Sequence, residues 1–267
     1  MLRRLFIAAV FFTATPILIS LQWLLEKLRL PGWGFIACNY YRFLCKLLRM
    51  RVRVVGTPVR DRAVLFVSNH VSWLDIVAIG SVQPVCFVAK IEVRKWPLVG
   101  ITAVRQRTVF VERARRHQAA DAVMQIVERI ERGTSVVLFA EGTSSDGNRV
   151  LPFRSALLGA VEAAAKQPGA QVEIQPMAIA YTAQQGVPMG RRNRPLAAWY
   201  GDMHFMPHIK ALIDRAVVDA VVSYGEPLRA DAAASRKQIA QQFERTTRRL
   251  MAETLRGRPL AEPPSAT

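Results

Sequence analysis

From residue 52 onward, short runs of β-branched residues alternate with longer segments that carry apolar side chains at helical spacing. The short runs are residues 52–55, 64–67, 85–88, 108–111, 136–139, 172–181 and 217–224. The helical segments are residues 73–80, 114–132, 155–166 and 232–255. This alternation predicts an α/β fold, with a mostly parallel central sheet covered by helices.

The N-terminus carries a second strong signal, because residues 5–25 form an uncharged run long enough to cross a bilayer. Pro31-Gly32 interrupts the chain, and residues 33–48 follow as an apolar segment with interspersed aromatic and basic side chains that suit the headgroup boundary. Basic residues flank both ends of the long run, so the distribution of positive charge gives a single span no clear direction. We therefore expect a membrane-embedded helix pair that dips into one leaflet. A true span and a cleaved signal peptide are the alternatives.

A net charge of +17 on 267 residues calls for a polyanionic partner, either nucleic acid or an anionic membrane surface. The apolar N-terminus favours membrane lipids. The scattered arginines lack the aromatic platforms of nucleic-acid-binding modules, so we expect no nucleic-acid partner. His204 and His208 are four residues apart, but Pro207 between them argues against a regular metal-binding helix, and we expect no metal.

These patterns divide the chain into three expected parts. Residues 1–50 form the membrane-associated N-terminal helices, and residues 51–230 form the α/β domain. Residues 231–267 form a C-terminal helix and a flexible tail rich in Pro, Ala and Ser.

Polar clusters follow two of the predicted strands. His70 comes shortly after the run 64–67, with Asp75 five residues later, and Glu141 follows the run 136–139. A carboxylate beside an imidazole fixes its tautomer and stabilises its cation, which makes the histidine a general base for an alcohol. Ser72 is at the same time a candidate helix cap, with Asp75 reaching back from the third helical position, and the two roles are compatible.

Four ordered blocks resemble those of the glycerolipid acyltransferases typified by bacterial lysophosphatidate acyltransferase. They are Asn69-His70-x4-Asp75, the run 108–113, Phe139-Ala140-Glu141-Gly142-Thr143 and the run 172–176. The resemblance, which covers about residues 54–181, implies an O-acyltransferase of lipid biosynthesis at the bacterial inner membrane, with its active site facing the cytoplasm. It implies an acyl thioester donor, either acyl carrier protein (acyl-ACP) or acyl-CoA, with no cofactor.

The resemblance also implies roles for single residues. His70 is the base and Asp75 its orienting carboxylate, while Glu141, Gly142 and Thr143 hydrogen-bond the polar head of the acceptor. Arg113 holds an anionic group of the acceptor, if it has one. A nucleophile elbow is not formed, because Asp146 stands where Gly-x-Ser-x-Gly needs its last glycine.

Ser144 bears on the choice of acceptor. Relatives that act on glycerol phosphate often carry Arg at this position, so a hydroxyl here weakens the case for a phosphate-bearing acceptor. Residues 145–155 resemble the branch that acylates lyso-ornithine lipid, with lysophosphatidate as the alternative acceptor and a non-catalytic membrane-surface protein as a remote one. The candidate contacts are Asp146 or Glu141 for the ammonium and Arg149 or Arg154 for the carboxylate.

Overall fold

The structure is a computed structural model that describes residues 2–111, 116–159, 162, 172–215, 217–230 and 235–257. Its helices are α1 (Leu2–Lys27), α2 (Trp33–Leu48), α3 (Leu74–Val82), α4 (Val99–Arg105), α5 (Arg116–Glu131), α6 (Phe205–Arg215) and α7 (Arg236–Leu255). Its strands are β1 (Met50–Val55), β2 (Val64–Ser68), β3 (Cys86–Lys90), β4 (Val109–Val111), β5 (Val136–Phe139), β6 (Val172–Gln184), β7 (Val187–Pro188), β8 (Val218–Tyr224) and β9 (Leu228–Ala230). Short 3-10 helices cover Ile91–Lys95, Ser155–Leu158 and Arg194–Leu196.

The strands form one sheet in the order β1-β8-β6-β2-β5-β3-β4, with β7 and β9 paired to β6 outside this path. Strands β2 to β6 run in one direction, as predicted. Strand β8 pairs antiparallel with β6, and β1 pairs parallel with β8, so these two strands run the other way. Each of the seven predicted runs corresponds to a strand, and the mostly parallel α/β prediction is confirmed.

Helices cover both faces of the sheet. On β2, Phe66 faces a cluster shared with α2, α3 and α6, whereas Leu65 faces a cluster shared with α5 and α7. Both side chains are fully buried, which explains why the central strands read as continuous apolar runs in the sequence.

Helix α2 packs closely on α3. Tyr41 of α2 is 6% exposed, and a Cβ added to Gly80 of α3 would lie 2.3 Å from its ring. Tyr40 is buried as well, and its hydroxyl lies 3.1 Å from that of Thr15 in α1. The expectation that the aromatic residues of this segment sit at the headgroup boundary is therefore wrong for both tyrosines, since they pack inside the protein.

Helix α1 leaves most of its apolar surface exposed. Within the described residues it is the helix whose length and composition suit a membrane span. Arg4 pairs with Asp214 of α6, and Glu26 pairs with Arg105 of α4, so the helix is tied to the domain at both ends. The large exposed apolar side chains include Leu5, Phe6, Phe12, Ile17, Leu21 and Leu24.

Two helical predictions need comment. Pro207 does not prevent a helix, because α6 begins at Phe205 and the proline lies in its first turn, where a backbone N–H has no intrahelical partner. The predicted helix 155–166 begins as the 3-10 helix Ser155–Leu158, and most of its remainder lies outside the described residues.

No group of three or more His, Cys, Asp or Glu side chains able to hold a metal occurs among the described residues.

Candidate active site

The site lies where β2 and β5 end side by side, next to β6, which continues past both of them. Since parallel neighbours present their carboxyl ends at one edge, the loops after β2 and β5 meet there. The side chain of Asn69 joins the loop after β2 to β6. Its amide donates to the carbonyl of Ile179 at 3.0 Å and accepts from the N–H of Ile179 at 2.9 Å, as a further residue of a paired strand would.

His70 and Asp75 are in direct contact, as predicted. Nδ1 of His70 lies 2.7 Å from Oδ2 of Asp75, although the residues are five apart, because the loop bends into the first turn of α3. Asp75 is fully buried, whereas the His70 side chain is 21% exposed. With Nδ1–H donating to this carboxylate, Nε2 keeps its lone pair and can accept a proton.

Asp75 also organises the backbone of the loop. The N–H groups of Val71 and Ser72 donate to Oδ2 at 2.7 and 3.0 Å, so the carboxylate reaches back from the helix as predicted. The Ser72 hydroxyl, however, has no hydrogen-bond partner among the described residues and does not cap α3. The capping prediction is therefore right for Asp75 and wrong for Ser72.

The second loop packs against the first. The His70 ring stacks on Phe139 with 4.1 Å between ring centroids and an angle of 19°. The N–H of Ser145 donates to the carbonyl of His70 at 2.8 Å. These contacts fix the imidazole between the two strand ends and leave only part of its edge exposed.

Glu141, in the loop after β5, is buried, and only 1% of the residue is exposed. One carboxylate oxygen accepts from the N–H of Leu151 at 3.0 Å, and the other has no hydrogen-bond partner in the described part of the chain. Burial raises the pKa of Glu141 to about 8, and the N–H groups of Leu151 and His70 offset this only in part. In the structure this residue supports the loop. Its contact with an acceptor stays a prediction.

Gly142, Thr143 and Ser144 continue the loop. Gly142 has a φ of +69°, a backbone conformation that favours glycine, and a Cβ there would lie 3.0 Å from Cδ of the Arg154 side chain. Thr143 is exposed. The half-buried Ser144 donates its hydroxyl to the carbonyl of Trp199 at 2.6 Å, which ties this loop to the segment before α6.

The remaining predicted residues lie on both sides of this loop. Asp146 accepts from the N–H of Asn148 at 3.0 Å in a local turn, and Arg194 donates to the Asn148 side chain at 3.0 Å. Arg149 and Arg154 are both exposed. Arg113 lies outside the described residues.

Several residues at or next to the site are not predicted from the sequence. Tyr181 donates its hydroxyl to Oδ1 of Asp75 at 2.6 Å. The only sequence signal is its place at the end of a predicted strand. An aromatic cluster next to the site comes from distant segments and follows no local pattern. Its members are Trp73, Trp96, Trp199 and Phe205.

Comparisons with known proteins match the chain to one family model and to near-full-length relatives. The acyltransferase family model matches residues 51–180. The lyso-ornithine lipid O-acyltransferase of Brucella abortus is 45% identical over 262 residues, which cover 97% of this chain and 98% of that protein. The lyso-ornithine lipid O-acyltransferase of Rhizobium meliloti is 41% identical over 244 residues, covering 91% and 82%.

A solved structure shares the fold. The 1-acyl-sn-glycerophosphate acyltransferase from Thermotoga maritima superimposes with a TM-score of 0.65 at 23% identity, over 95% of this chain and 93% of that one. Family model, near-full-length relatives and fold agree, and the chain therefore belongs to the acyltransferase family and is an enzyme of that kind.

Proposed function

We propose that this enzyme moves an acyl chain from an acyl thioester to the hydroxyl of lyso-ornithine lipid. The observation that carries the proposal is the buried Asp75 carboxylate 2.7 Å from Nδ1 of the partly exposed His70, in a chain whose near-full-length relatives bear that activity in their names. No metal or cofactor is needed for such a transfer, because a thioester is already activated.

In the proposed reaction, Nε2 of His70 removes the proton of the lysolipid hydroxyl as its oxygen attacks the thioester carbonyl carbon. Asp75 stabilises the imidazolium that forms. The carbon–sulfur bond then breaks, and the imidazolium proton passes to the departing thiolate. The products are the acylated lipid and a free carrier thiol, which belongs to acyl carrier protein or to CoA.

The acceptor is assigned from Ser144 and the residues around it. The Ser144 hydroxyl is engaged with the Trp199 carbonyl at 2.6 Å and offers no cation to a phosphate. Exposed Arg149 and Arg154 are the proposed contacts for a carboxylate, and Asp146 is the proposed contact for an ammonium group. Lysophosphatidate is the second candidate, since a solved enzyme acting on that lipid has the same fold.

Purified enzyme with one acyl thioester donor tests the assignment. Lyso-ornithine lipid should be acylated faster than lysophosphatidate. Ser144→Arg should shift the ratio toward lysophosphatidate about tenfold, since a guanidinium pairs bidentately with phosphate and a tenfold shift needs only about 1.4 kcal/mol. Ser144→Ala is the control, because it also loses the Trp199 contact but adds no cation. A wild-type preference for lysophosphatidate would refute the acceptor and leave the transfer reaction standing.

The proposed location is the inner membrane, with the active site at its cytoplasmic face. In this arrangement the exposed apolar face of α1, including Phe12 and Ile17, enters one leaflet together with the start of α2. Lys27 and Arg29 would then lie near the headgroups. Such a position brings the site to the surface from which a lysolipid arrives.

A further inference from the structure

A buried tyrosine contacts the carboxylate that holds the proposed base. Tyr181 lies near the end of β6, and its hydroxyl donates to Oδ1 of Asp75 at 2.6 Å. Tyr181 is 2% exposed and Asp75 is not exposed at all, so water does not compete for this bond. Neither the predicted chemistry nor the reaction above gives Tyr181 a role.

The two oxygens of Asp75 are used differently. Oδ2 accepts three hydrogen bonds, from Nδ1 of His70 and from the N–H groups of Val71 and Ser72. Among the described residues Oδ1 accepts one, from Tyr181. A carboxylate removed from water needs donors on both oxygens, because each unsatisfied lone pair retains the cost of its lost hydration. Tyr181 is therefore the group that satisfies Oδ1.

The backbone holds this pair in register. Asn69 binds both the N–H and the carbonyl of Ile179, which fixes the His70 loop to β6 two residues before Tyr181. Ile179 and Tyr181 face the same side of the sheet, where α3 carries Asp75. Directly after Tyr181 the pairing of β6 with β8 shifts, as in a β-bulge. The loop, the strand and the first turn of α3 thus form one connected unit.

We propose that Tyr181 is a positioning residue of the transfer reaction: its hydroxyl fixes the rotation of the Asp75 carboxylate so that Oδ2 faces Nδ1 of His70, and it draws negative charge away from that carboxylate. The proposal rests on the proposed role of His70 as the base. Burial, and then the charge of Asp75, hold the pKa of Tyr181 well above its usual range. The phenol therefore stays protonated and acts as a donor throughout.

The two effects predict a specific signature. Without the hydroxyl the carboxylate is less well oriented, so the chemical step slows. The same carboxylate keeps more of its charge and binds an imidazolium more strongly, which favours the protonated histidine. The acid limb of the pH profile of kcat/KM must then move to higher pH. A stronger donor at position 181 must move that limb to lower pH.

The test uses the full chain purified in detergent, with Tyr181→Phe as the main variant. We expect kcat to fall about tenfold, equivalent to about 1.4 kcal/mol, with the KM for lysolipid within about twofold of wild type. The acid limb should rise by about half a pH unit, since one hydrogen bond to a buried carboxylate is removed.

Tyr224→Phe is the matched control. Tyr224 lies on β8 and is 4% exposed, but its hydroxyl has no hydrogen-bond partner among the described residues. The substitution removes the same atom from the same sheet, away from Asp75, and should change neither kcat nor the pH profile. A second probe, 3-fluorotyrosine at position 181, keeps the ring and strengthens the donor, and it should move the acid limb to lower pH.

An unchanged pH profile in Tyr181→Phe would overturn the proposal, even if kcat falls, because a purely structural loss does not move a titration. If Tyr181→Phe does not fold, the fluorinated protein decides, and an unmoved acid limb there also overturns it. His70→Ala is measured alongside. Near-wild-type activity in that variant would instead refute the proposed function, so the two failures are distinguished.

Discussion

Asp75→Asn removes the charge of the orienting residue while keeping its shape. The amide oxygen of Asn can take the place of Oδ2 and accept from His70 and from the N–H groups of Val71 and Ser72. The amide nitrogen then replaces Oδ1 and donates to the Tyr181 oxygen. Because every buried partner keeps a hydrogen bond, the fold should survive, and the imidazolium formed during transfer should lose its counter-charge.

The expected loss follows from the geometry. Two unit charges about 4 Å apart at an effective dielectric constant of about 20 interact by about 4 kcal/mol. Asp75 is fully buried and His70 is only 21% exposed, so solvent screens this pair weakly. At about 1.4 kcal/mol per tenfold, kcat should fall about 10³-fold, within the usual range for acid–base catalysis.

Initial rates at saturating lysolipid and donor provide the assay, with thermal unfolding as a check on the fold. Asp219→Asn is the control, because that carboxylate lies 2.6 Å from Arg51 at the surface and should leave kcat unchanged. Since Asp75 acts through His70, the double variant His70→Ala with Asp75→Asn should be no slower than His70→Ala alone. More than a tenth of wild-type activity in Asp75→Asn, or multiplicative losses in the double variant, would refute this reasoning.

Three further outcomes are expected. Gly80→Ala should destabilise the protein by about 1–3 kcal/mol in denaturant unfolding, because its Cβ would overlap the buried ring of Tyr41 at 2.3 Å. The pKa of Glu141 is raised from 4.5 to about 8 in the folded state, so its contribution to stability is fully present below pH 4.5 and is lost as the pH rises through about 8. Glu141→Gln should therefore gain in melting temperature relative to wild type between pH 5 and pH 9. Phe12→Glu with Ile17→Glu, on the exposed face of α1, should release the protein from lipid vesicles in sedimentation assays. The buried tyrosines of α2 should keep their packing, because neither substitution lies on that helix.

The central strands were predictable because both faces of each strand are buried. Successive residues such as Leu65 and Phe66 must then both be apolar, and this pattern is the same whichever strands lie beside β2. Strand direction is a different matter. The antiparallel pairing of β6 with β8 depends on how the chain returns after α6, and no local pattern records that path. The helix α6 was missed because Pro207 counted against it, although a proline in the first turn removes no helical hydrogen bond.

The predicted site shows the same division. His70 and Asp75 were found together because a five-residue separation across one loop-to-helix bend is a local feature. The sequence by itself thus determined the α/β class, the apolar N-terminal helix and the histidine–carboxylate pair. Only the tertiary structure decided that Tyr181 completes the Asp75 carboxylate, that Glu141 is buried, and that the Ser144 hydroxyl binds Trp199. Each of these depends on segments far apart in the chain that packing brings together, and local spacing carries no information about such contacts.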